Sequence, residues 1–211
     1  MRQEHEYALL GGLNRAKIGR YLALVAAAIS SAIVFLLLML VDVARSFGLQ
    51  QNLPPVVLSM VGAGTVYAVL YAVFDRYAWK IPRLSALLRV PNLSGVWRCD
   101  GQTLKPDQSS GTAWQGEIVI VQSWDKIRVR LKTSRSNSNS IAAALMYDEA
   151  DGYRLMYNYV NEPKIGEMDL SAHRGFAEFV FSADQRTAEG EYFNGHGRFT
   201  FGTMQLVREN G

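Results

Sequence analysis

The hydrophobic positions of this chain follow two patterns, one before residue 75 and another after residue 91. Residues 21–41 and 53–74 are runs of 21 and 22 residues without a charged side chain. At about 1.5 Å of rise per residue, a helix of this length crosses the roughly 30 Å hydrocarbon core of a bilayer. The first pattern therefore predicts two transmembrane helices joined by a short hairpin.

From residue 92 onward the hydrophobic period becomes two. Ile127 and Val129 alternate with Arg128 and Arg130, which is typical of a strand with one face toward a core. Turn residues separate several such runs at intervals of roughly ten residues. This pattern predicts a small antiparallel, lipocalin-like β-barrel of about eight strands, with a ninth as an alternative, because closure removes exposed strand edges.

These patterns divide the chain at residue 91. Residues 1–91 are predicted to hold an N-terminal tail outside the barrel, the two spans and an amphipathic linker, and residues 92–211 the barrel. Leu84, Leu87 and Leu88 share one helical face of the linker, which we expect to lie along the membrane surface. A cleaved signal peptide is the alternative for the first span, but the run exceeds the ~7–15 apolar residues of such signals.

Charge is distributed unevenly between the two parts. Residues 1–91 contain 9 Lys/Arg and 4 Asp/Glu, and residues 92–211 contain 13 and 15. The basic residues therefore flank the membrane, which argues against DNA or RNA polymers as partners of the folded domain. Four of them precede the first span, four lie within residues 75–91 and one lies in the hairpin. The positive-inside rule then predicts a membrane protein with both termini in the cytoplasm.

Catalytic and metal-binding motifs are absent from the sequence. The histidines, His5, His173 and His196, are scattered, and Cys99 is the single cysteine. We therefore predict neither an enzyme nor a metal or other cofactor, and we expect Cys99 to be a buried structural thiol.

Polar and aromatic residues near the predicted strand ends exceed what a dry barrel core requires. Residues 133–140 are eight consecutive polar residues between two predicted strands. Composition alone favours a flexible, solvated hairpin there. The alternative is a polar lip over the barrel mouth, a common location for ligands. The candidate ligand-binding residues are Gln122, Trp124, Arg135, Ser136, Ser138, Tyr157, Tyr159, Asn161, Tyr192 and Asn194.

The order of several motifs resembles a known family. Gly95-Val96-Trp97 is similar to the G-x-W opening of lipocalin-like barrels. The membrane hairpin followed by PNLSGVW (91–97), QSW (122–124), the Ser-rich segment 134–140, YNYVNEP (157–163) and GEYFN (190–194) resembles the two-transmembrane β-barrel effectors of bacterial cyclic-oligonucleotide antiphage systems (CBASS). The resemblance covers nearly the whole chain.

This resemblance implies a function that the residues alone do not show. A synthase that senses phage makes a cyclic dinucleotide, the cytoplasmic barrel binds it, and the anchored proteins form homo-oligomers that disrupt the lipid bilayer of the inner membrane. The aromatic candidates would stack on bases, Arg135 and the serines would meet phosphates, and the amides would read base edges. The alternatives are a membrane-tethered binding protein for an apolar ligand, which requires a continuous apolar cavity, and a membrane enzyme with dispersed catalytic residues.

Overall fold

The structure is a computed structural model that describes residues 4–49, 52, 54–195 and 198–209. The chain forms two compact units, one containing Leu13–Trp79 and the other combining Met1–Gly12 with Lys80–Gly211. By contacts, the chain passes from the first unit to the second at Lys80, and the predicted boundary lies at residue 91. The N-terminal tail and the segment from Lys80 onward both belong to the barrel unit.

The first unit is helical and confirms the prediction of two apolar helices. Arg15–Ser46 and Val56–Lys80 are the two helical stretches that are long and apolar enough to cross a membrane, among the residues described. The second is not continuous. It consists of α2 and α3 with an interruption at residues 61–62, followed by a 3-10 turn, Ala78–Lys80. The bounds are α1 Arg15–Ser46, α2 Pro55–Met60 and α3 Ala63–Arg76.

Small residues on α1 serve packing inside this hairpin. Ala26 and Ser30 are buried on α1. Ser30 Oγ donates a hydrogen bond of 2.5 Å to the carbonyl of Val61, at the interruption between α2 and α3. Hydrocarbon cannot solvate a free carbonyl, so this hydroxyl supports the break in the second span.

Eight strands close the second unit into an antiparallel barrel, and a ninth joins from the N-terminal tail. The prediction of about eight strands is confirmed, whereas the ninth comes from outside residues 92–211. The bounds are β1 His5–Leu10, β2 Gly95–Leu104, β3 Ser110–Gln122, β4 Lys126–Thr133, β5 Ser136–Asp148, β6 Gly152–Pro163, β7 His173–Phe181, β8 Thr187–Asn194 and β9 Phe201–Arg208. Around the barrel the order is β4, β3, β2, β9, β8, β7, β6, β5, and β5 pairs again with β4.

The seam between β4 and β5 is short. The two strands pair only where Arg130, Leu131 and Lys132 face residues 137–139. Below this point they separate, and β1 fills the gap. It pairs antiparallel with β4 and parallel with β5, where residues 7–10 face residues 143–146. His5 Nε2 lies 2.7 Å from Ser140 Oγ, so the expectation that His5 lies outside the domain was wrong.

The barrel has two different ends. We call the end that carries the β2–β3, β4–β5, β6–β7 and β8–β9 connections the mouth, and the opposite end, next to β1, the base. A short helix, α4 (Pro82–Leu88), lies at the base, where the carbonyl of Leu88 approaches Gly12. Leu88 is buried in this unit while Leu87 is 67% exposed, so only part of the predicted linker face remains exposed.

Large apolar side chains fill the base. Trp97 contacts Phe181 edge-on with ring centroids 5.4 Å apart, and its indole N–H donates to the carbonyl of Leu93 at 3.1 Å. The remaining buried core residues at this end include Ile118, Ile120, Ile127, Leu145, Leu155 and Leu206. The inward apolar positions of the predicted strands therefore form a packed core.

We predict that Tyr7→Ala destabilises the barrel, because Tyr7 is 2% exposed and its hydroxyl donates to the carbonyl of Ser123 at 3.3 Å. Truncation of a buried aromatic side chain costs about 3–5 kcal/mol of unfolding free energy. Urea unfolding of the full-length protein in detergent, followed by tryptophan fluorescence, measures this loss. Leu10→Ala on the same strand is the control, since Leu10 is 45% exposed. Equal stability of the two variants would contradict the placement of β1 in the core.

Candidate ligand-binding site

The inward positions in the mouth half of the barrel are mostly polar or aromatic. They stand above the apolar core of the base, so the interior has a polar mouth over a packed floor. Every strand from β2 to β8 contributes: Thr103, Trp114, Thr133, Ser136, Ser138, Tyr159, Asn161, His173, Tyr192 and Asn194.

Three of these residues form a row across neighbouring strands. Ser138 faces Asn161, and Asn161 faces His173. They are 5%, 7% and 7% exposed. Within the described parts of the chain, neither the Ser138 hydroxyl nor the Asn161 amide forms a hydrogen bond. His173 Nδ1 lies 2.9 Å from the carbonyl of Ser171. Buried polar groups are normally paired, so this row offers hydrogen-bonding capacity to an entering ligand.

Tyr159 and Asn194 belong to a second, internally bonded chain. The Tyr159 hydroxyl donates to Asn194 Oδ1 at 2.7 Å, and Asn194 Nδ2 donates to Thr200 Oγ1 at 2.7 Å. Gly175 permits this arrangement, since a Cβ there would lie 2.5 Å from the Tyr159 ring. Burial raises the pKa of Tyr159, while the nearby charge of Arg198 acts in the opposite direction, so the phenol remains a neutral donor.

Tyr192 and Trp114 form an aromatic wall on the other side of the mouth. Their ring centroids are 5.8 Å apart in an edge-on arrangement. The Tyr192 hydroxyl accepts from Trp114 Nε1 at 3.3 Å and lies 2.9 Å from Thr103 Oγ1. Gly101 makes room for the indole, because a Cβ there would overlap it.

Tyr157 lies deeper and forms part of the floor. It is 3% exposed and contacts Phe179 and Tyr159, with ring centroids 5.9 Å and 6.0 Å away. Burial raises the pKa of Tyr157 well above its usual value. The residue therefore bounds the bottom of the site as a neutral aromatic.

Arg135 lies on the rim and already has two carboxylate partners. Its Nε is 2.6 Å from Glu167 and its Nη2 is 2.8 Å from Asp169, both in the β6–β7 connection. Hydrogen bonds and charge from Asp169 and Glu167 raise the pKa of Arg135. Lys164 also links the β6–β7 connection to this rim, because its ammonium group donates to the carbonyl of Thr133 at 2.8 Å. A phosphate would have to compete with these carboxylates for Arg135.

Arg198 is a cation that sequence reasoning missed. It lies in the β8–β9 connection at the mouth, close enough to Tyr159 for its charge to act on that phenol. Among the residues with described positions, no carboxylate pairs with it. No sequence pattern marks it, since it stands alone in a loop.

Two predicted site residues lie at the other end of the barrel. The Gln122 amide accepts from the backbone of Leu93 at 2.9 Å and donates to the carbonyl of Pro91 and the hydroxyl of Tyr7, at 3.2 and 3.3 Å. Trp124 is 1% exposed in the turn after β3. The prediction that they share a site with the other candidates is therefore corrected. Strand alternation predicted that Gln122 points into the barrel, but it did not predict that Gln122 lies at the base.

The predicted polar lip also has a different structure. Residues 136–140 are the start of β5, and only residues 134–135 form the turn. Ser138 and Ser140 point into the barrel while Asn137 and Asn139 alternate with them. Serine and asparagine thus alternate here with the period of a strand, although none of these residues is apolar. The structure brings together Ser136, Ser138, Tyr159, Asn161, Tyr192 and Asn194 above Tyr157.

The mouth combines polar and aromatic side chains. It presents hydroxyls, amides, an imidazole, aromatic rings and the guanidiniums of Arg135 and Arg198. Over the described portion of the chain, no group of His, Cys, Asp and Glu side chains could hold a metal ion. His196 lies outside the described residues.

Comparison with known proteins identifies the family. Residues 88–208 match the model described as Cap15, cyclic dinucleotide receptor domain, and residues 16–80 match Cap15, TM helices. The chain belongs to the Cap15 family. It is 47% identical over 206 residues to CD-NTase-associated protein 15 of Yersinia aleksiciae, and the alignment covers 98% of each chain.

The Cap15 matches agree with the two units of the structure. The receptor-domain match runs from α4 to the end of β9, so the barrel is a cyclic dinucleotide receptor domain. The TM match covers the helical unit. β1 lies outside both matches, although it completes the barrel. The family resemblance expected from motif order is confirmed.

We predict that Cys99 does not react with maleimide in the folded protein. The thiol is fully buried, and burial, followed by the charge of Asp100, raises its pKa to about 12. A thiol with this pKa has almost no thiolate at pH 7–8, and thiolate is the reactive form. Mass spectrometry after labelling, with and without urea, measures the difference. Rapid labelling of the native protein would contradict the buried position.

Proposed function

We propose that this Cap15-family protein is a CBASS antiphage effector that is anchored in the bacterial inner membrane. Its barrel binds a cyclic dinucleotide at the mouth, and binding drives homo-oligomerisation and disruption of the membrane, without catalysis. The observation that carries the proposal is the row of buried Ser138, Asn161 and His173 in the polar mouth, two of which have unused hydrogen-bonding groups.

The residues at the mouth suit the chemistry of a cyclic dinucleotide. Such a ligand carries two phosphate charges and two bases, each with a stackable face and a hydrogen-bonding edge. In this proposal Ser136, Ser138 and Arg198 meet the phosphates. Asn161 reads a base edge, and Tyr159 and Tyr192 supply aromatic faces. Asn194 holds the Tyr159 hydroxyl in position through its hydrogen bond. Hydrogen bonds to a charged phosphate are about twice as strong as neutral ones.

The topology of the chain supports cytoplasmic termini. β1 and the segment from Lys80 share one barrel, so the two ends of the helical unit must emerge on the same side of the membrane. Two spans satisfy this requirement. The basic residues on both flanks then favour the cytoplasmic side, where a nucleotide signal is made.

A ligand promotes assembly only if it binds the assembled state more tightly. Shifting an equilibrium from 1:99 to 99:1 requires about 5.5 kcal/mol of differential binding. Anchoring in one plane raises the effective concentration of the copies, so a smaller difference per copy suffices.

The apolar-ligand carrier is less well supported. Trp97, Phe179 and Phe181 fill the base with mutual ring contacts, and the space above them is lined by polar side chains. A lipocalin-type apolar ligand would have to displace these rings or bury hydroxyls and amides unpaired.

We predict that Asn161→Ala weakens cyclic dinucleotide binding by about tenfold or more, because the loss of a buried hydrogen-bonding partner costs about 1–3 kcal/mol. Calorimetry of the full-length protein in nanodiscs against a panel of cyclic dinucleotides measures the affinity. Asn158→Ala is the matched control, since Asn158 lies on the same strand and is exposed on the outer face. Arg198→Gln should also weaken binding more than Arg135→Gln, because Arg135 is already paired.

Vesicle leakage tests the proposed output. Full-length protein in vesicles loaded with a dye should release it when the dinucleotide that binds is added, and Asn161→Ala should require more ligand. A wild-type protein that binds no member of a broad panel, or that binds without any leakage, would contradict the effector function.

A further inference from the structure

Opposite sides of the barrel carry opposite charge on their outer surfaces. The outward positions of β4 are Lys126, Arg128, Arg130 and Lys132. The outward positions of β8 include Glu189 and Glu191, both exposed. The strand order places β8 four strands from β4 in either direction around the ring. The two charged strands are therefore diametrically opposed.

The basic face combines the β4 cations with exposed apolar side chains. Arg130 has no carboxylate partner among the residues that the structure places, Arg128 donates to Asn139 Oδ1 at 2.7 Å, and Lys132 pairs with Glu117 at 2.9 Å. Val121, on β3, pairs with Arg128 of β4 and is 45% exposed. Ile141, in the bulge of β5, is 49% exposed.

The acidic face combines Glu189 and Glu191 with a row of phenylalanines. Neither glutamate forms an ion pair with any residue whose position is described. Phe193 faces Phe201 on the next strand, and they are 55% and 37% exposed. Phe176 stacks on the other side of Phe193 with ring centroids 5.4 Å apart. These side chains line a groove with a volume of about 1700 Å³.

We propose that the acidic face of one copy docks on the basic face of a second copy of this chain. Residues two apart on a strand are separated by roughly 6.6 Å, so Glu189 and Glu191 match the spacing of Arg128 and Arg130. In this register Val121, which lies beside Arg128, faces Gln205 of the neighbour, which lies beside Glu189. Both partners of this charge complementarity come from the same chain, which favours self-association over another occupant.

The opposed positions of the faces determine the form of the assembly. The contact is heterologous, so each docked copy leaves one free face of each kind. Faces on opposite sides of the barrel generate an open row instead of a closed dimer. This inference deepens the proposed function, because it names the surfaces through which ligand-activated copies assemble.

Cysteine cross-linking of the full-length protein in vesicles tests the contact. Copies with Val121→Cys and copies with Gln205→Cys are mixed and treated with a short bis-maleimide, either at high protein density or with the dinucleotide panel. The buried native Cys99 serves as the background control. The mixture should give about tenfold more cross-linked dimer than either variant alone, as a heterologous contact requires. Cross-linking within one variant alone, or none under both conditions, would overturn the proposal.

Charge reversal provides the second test. Glu189→Arg with Glu191→Arg, or Arg128→Glu with Arg130→Glu, should each lower assembly by about tenfold, because like charges then face each other. A mixture of the two variants should restore assembly, as should one chain carrying all four changes. Reversal of Glu149 and Glu209, which lie outside both faces, is the control for net charge. Unchanged assembly of either reversed variant would contradict the docking.

Ligand affinity separates this inference from the proposed function. Calorimetry of the charge-reversed variants should still show saturable binding, because their changes lie outside the mouth. Their affinity should fall below that of the wild type only by the part that assembly contributes, since the coupling between ligand binding and assembly is reciprocal. If the charge-reversed variants bind the dinucleotide and assemble as well as the wild type, the docking proposal is wrong and the receptor function stands. Failure of the wild-type protein to bind any dinucleotide would instead count against the function.

Discussion

Closure of the barrel between β4 and β5 is the constraint on which the rest of the receptor depends. An open seam would leave two unpaired strand edges and let water into the core. Direct pairing covers only residues 130–132 and 137–139, so the lower part of the seam needs another strand. β1 supplies it, and the Gln122 amide, which contacts Tyr7 and the backbone of Pro91 and Leu93, ties that strand to the base.

The same seam connects the candidate site to the membrane anchor through the chain itself. Ser136 and Ser138 stand on β5 at the mouth, and β1 pairs with the far part of that strand. α1 begins at Arg15, a few residues after β1 ends at Leu10. Residues that would contact a ligand and the residues that lead into the first span are thus attached to one strand. The ligand that we propose at the mouth would bind a barrel in which the N-terminal segment completes the β4–β5 seam.

The elements that the sequence predicted are those marked by a local pattern of hydrophobic residues. Uncharged runs marked the spans, and the alternation of Ile127 and Val129 with arginines marked a strand. It did not predict features set by pairing between distant segments. Residues 5–10 are too short to be recognised as a strand without β5 beside them, and Gln122 and Tyr159 both point inward although they lie at opposite ends of the barrel. The sequence favoured a solvated hairpin over residues 136–140, because strand prediction relies on alternating hydrophobic residues and this segment has none.

Hydrogen exchange of the full-length protein in nanodiscs tests the central claim, that the N-terminal segment is a structural strand of the receptor. The amides of residues 7–10 should exchange as slowly as those of residues 143–146, with which they pair. Exchange of residues 7–10 at the rate of an unstructured tail, while residues 143–146 stay protected, would contradict the account.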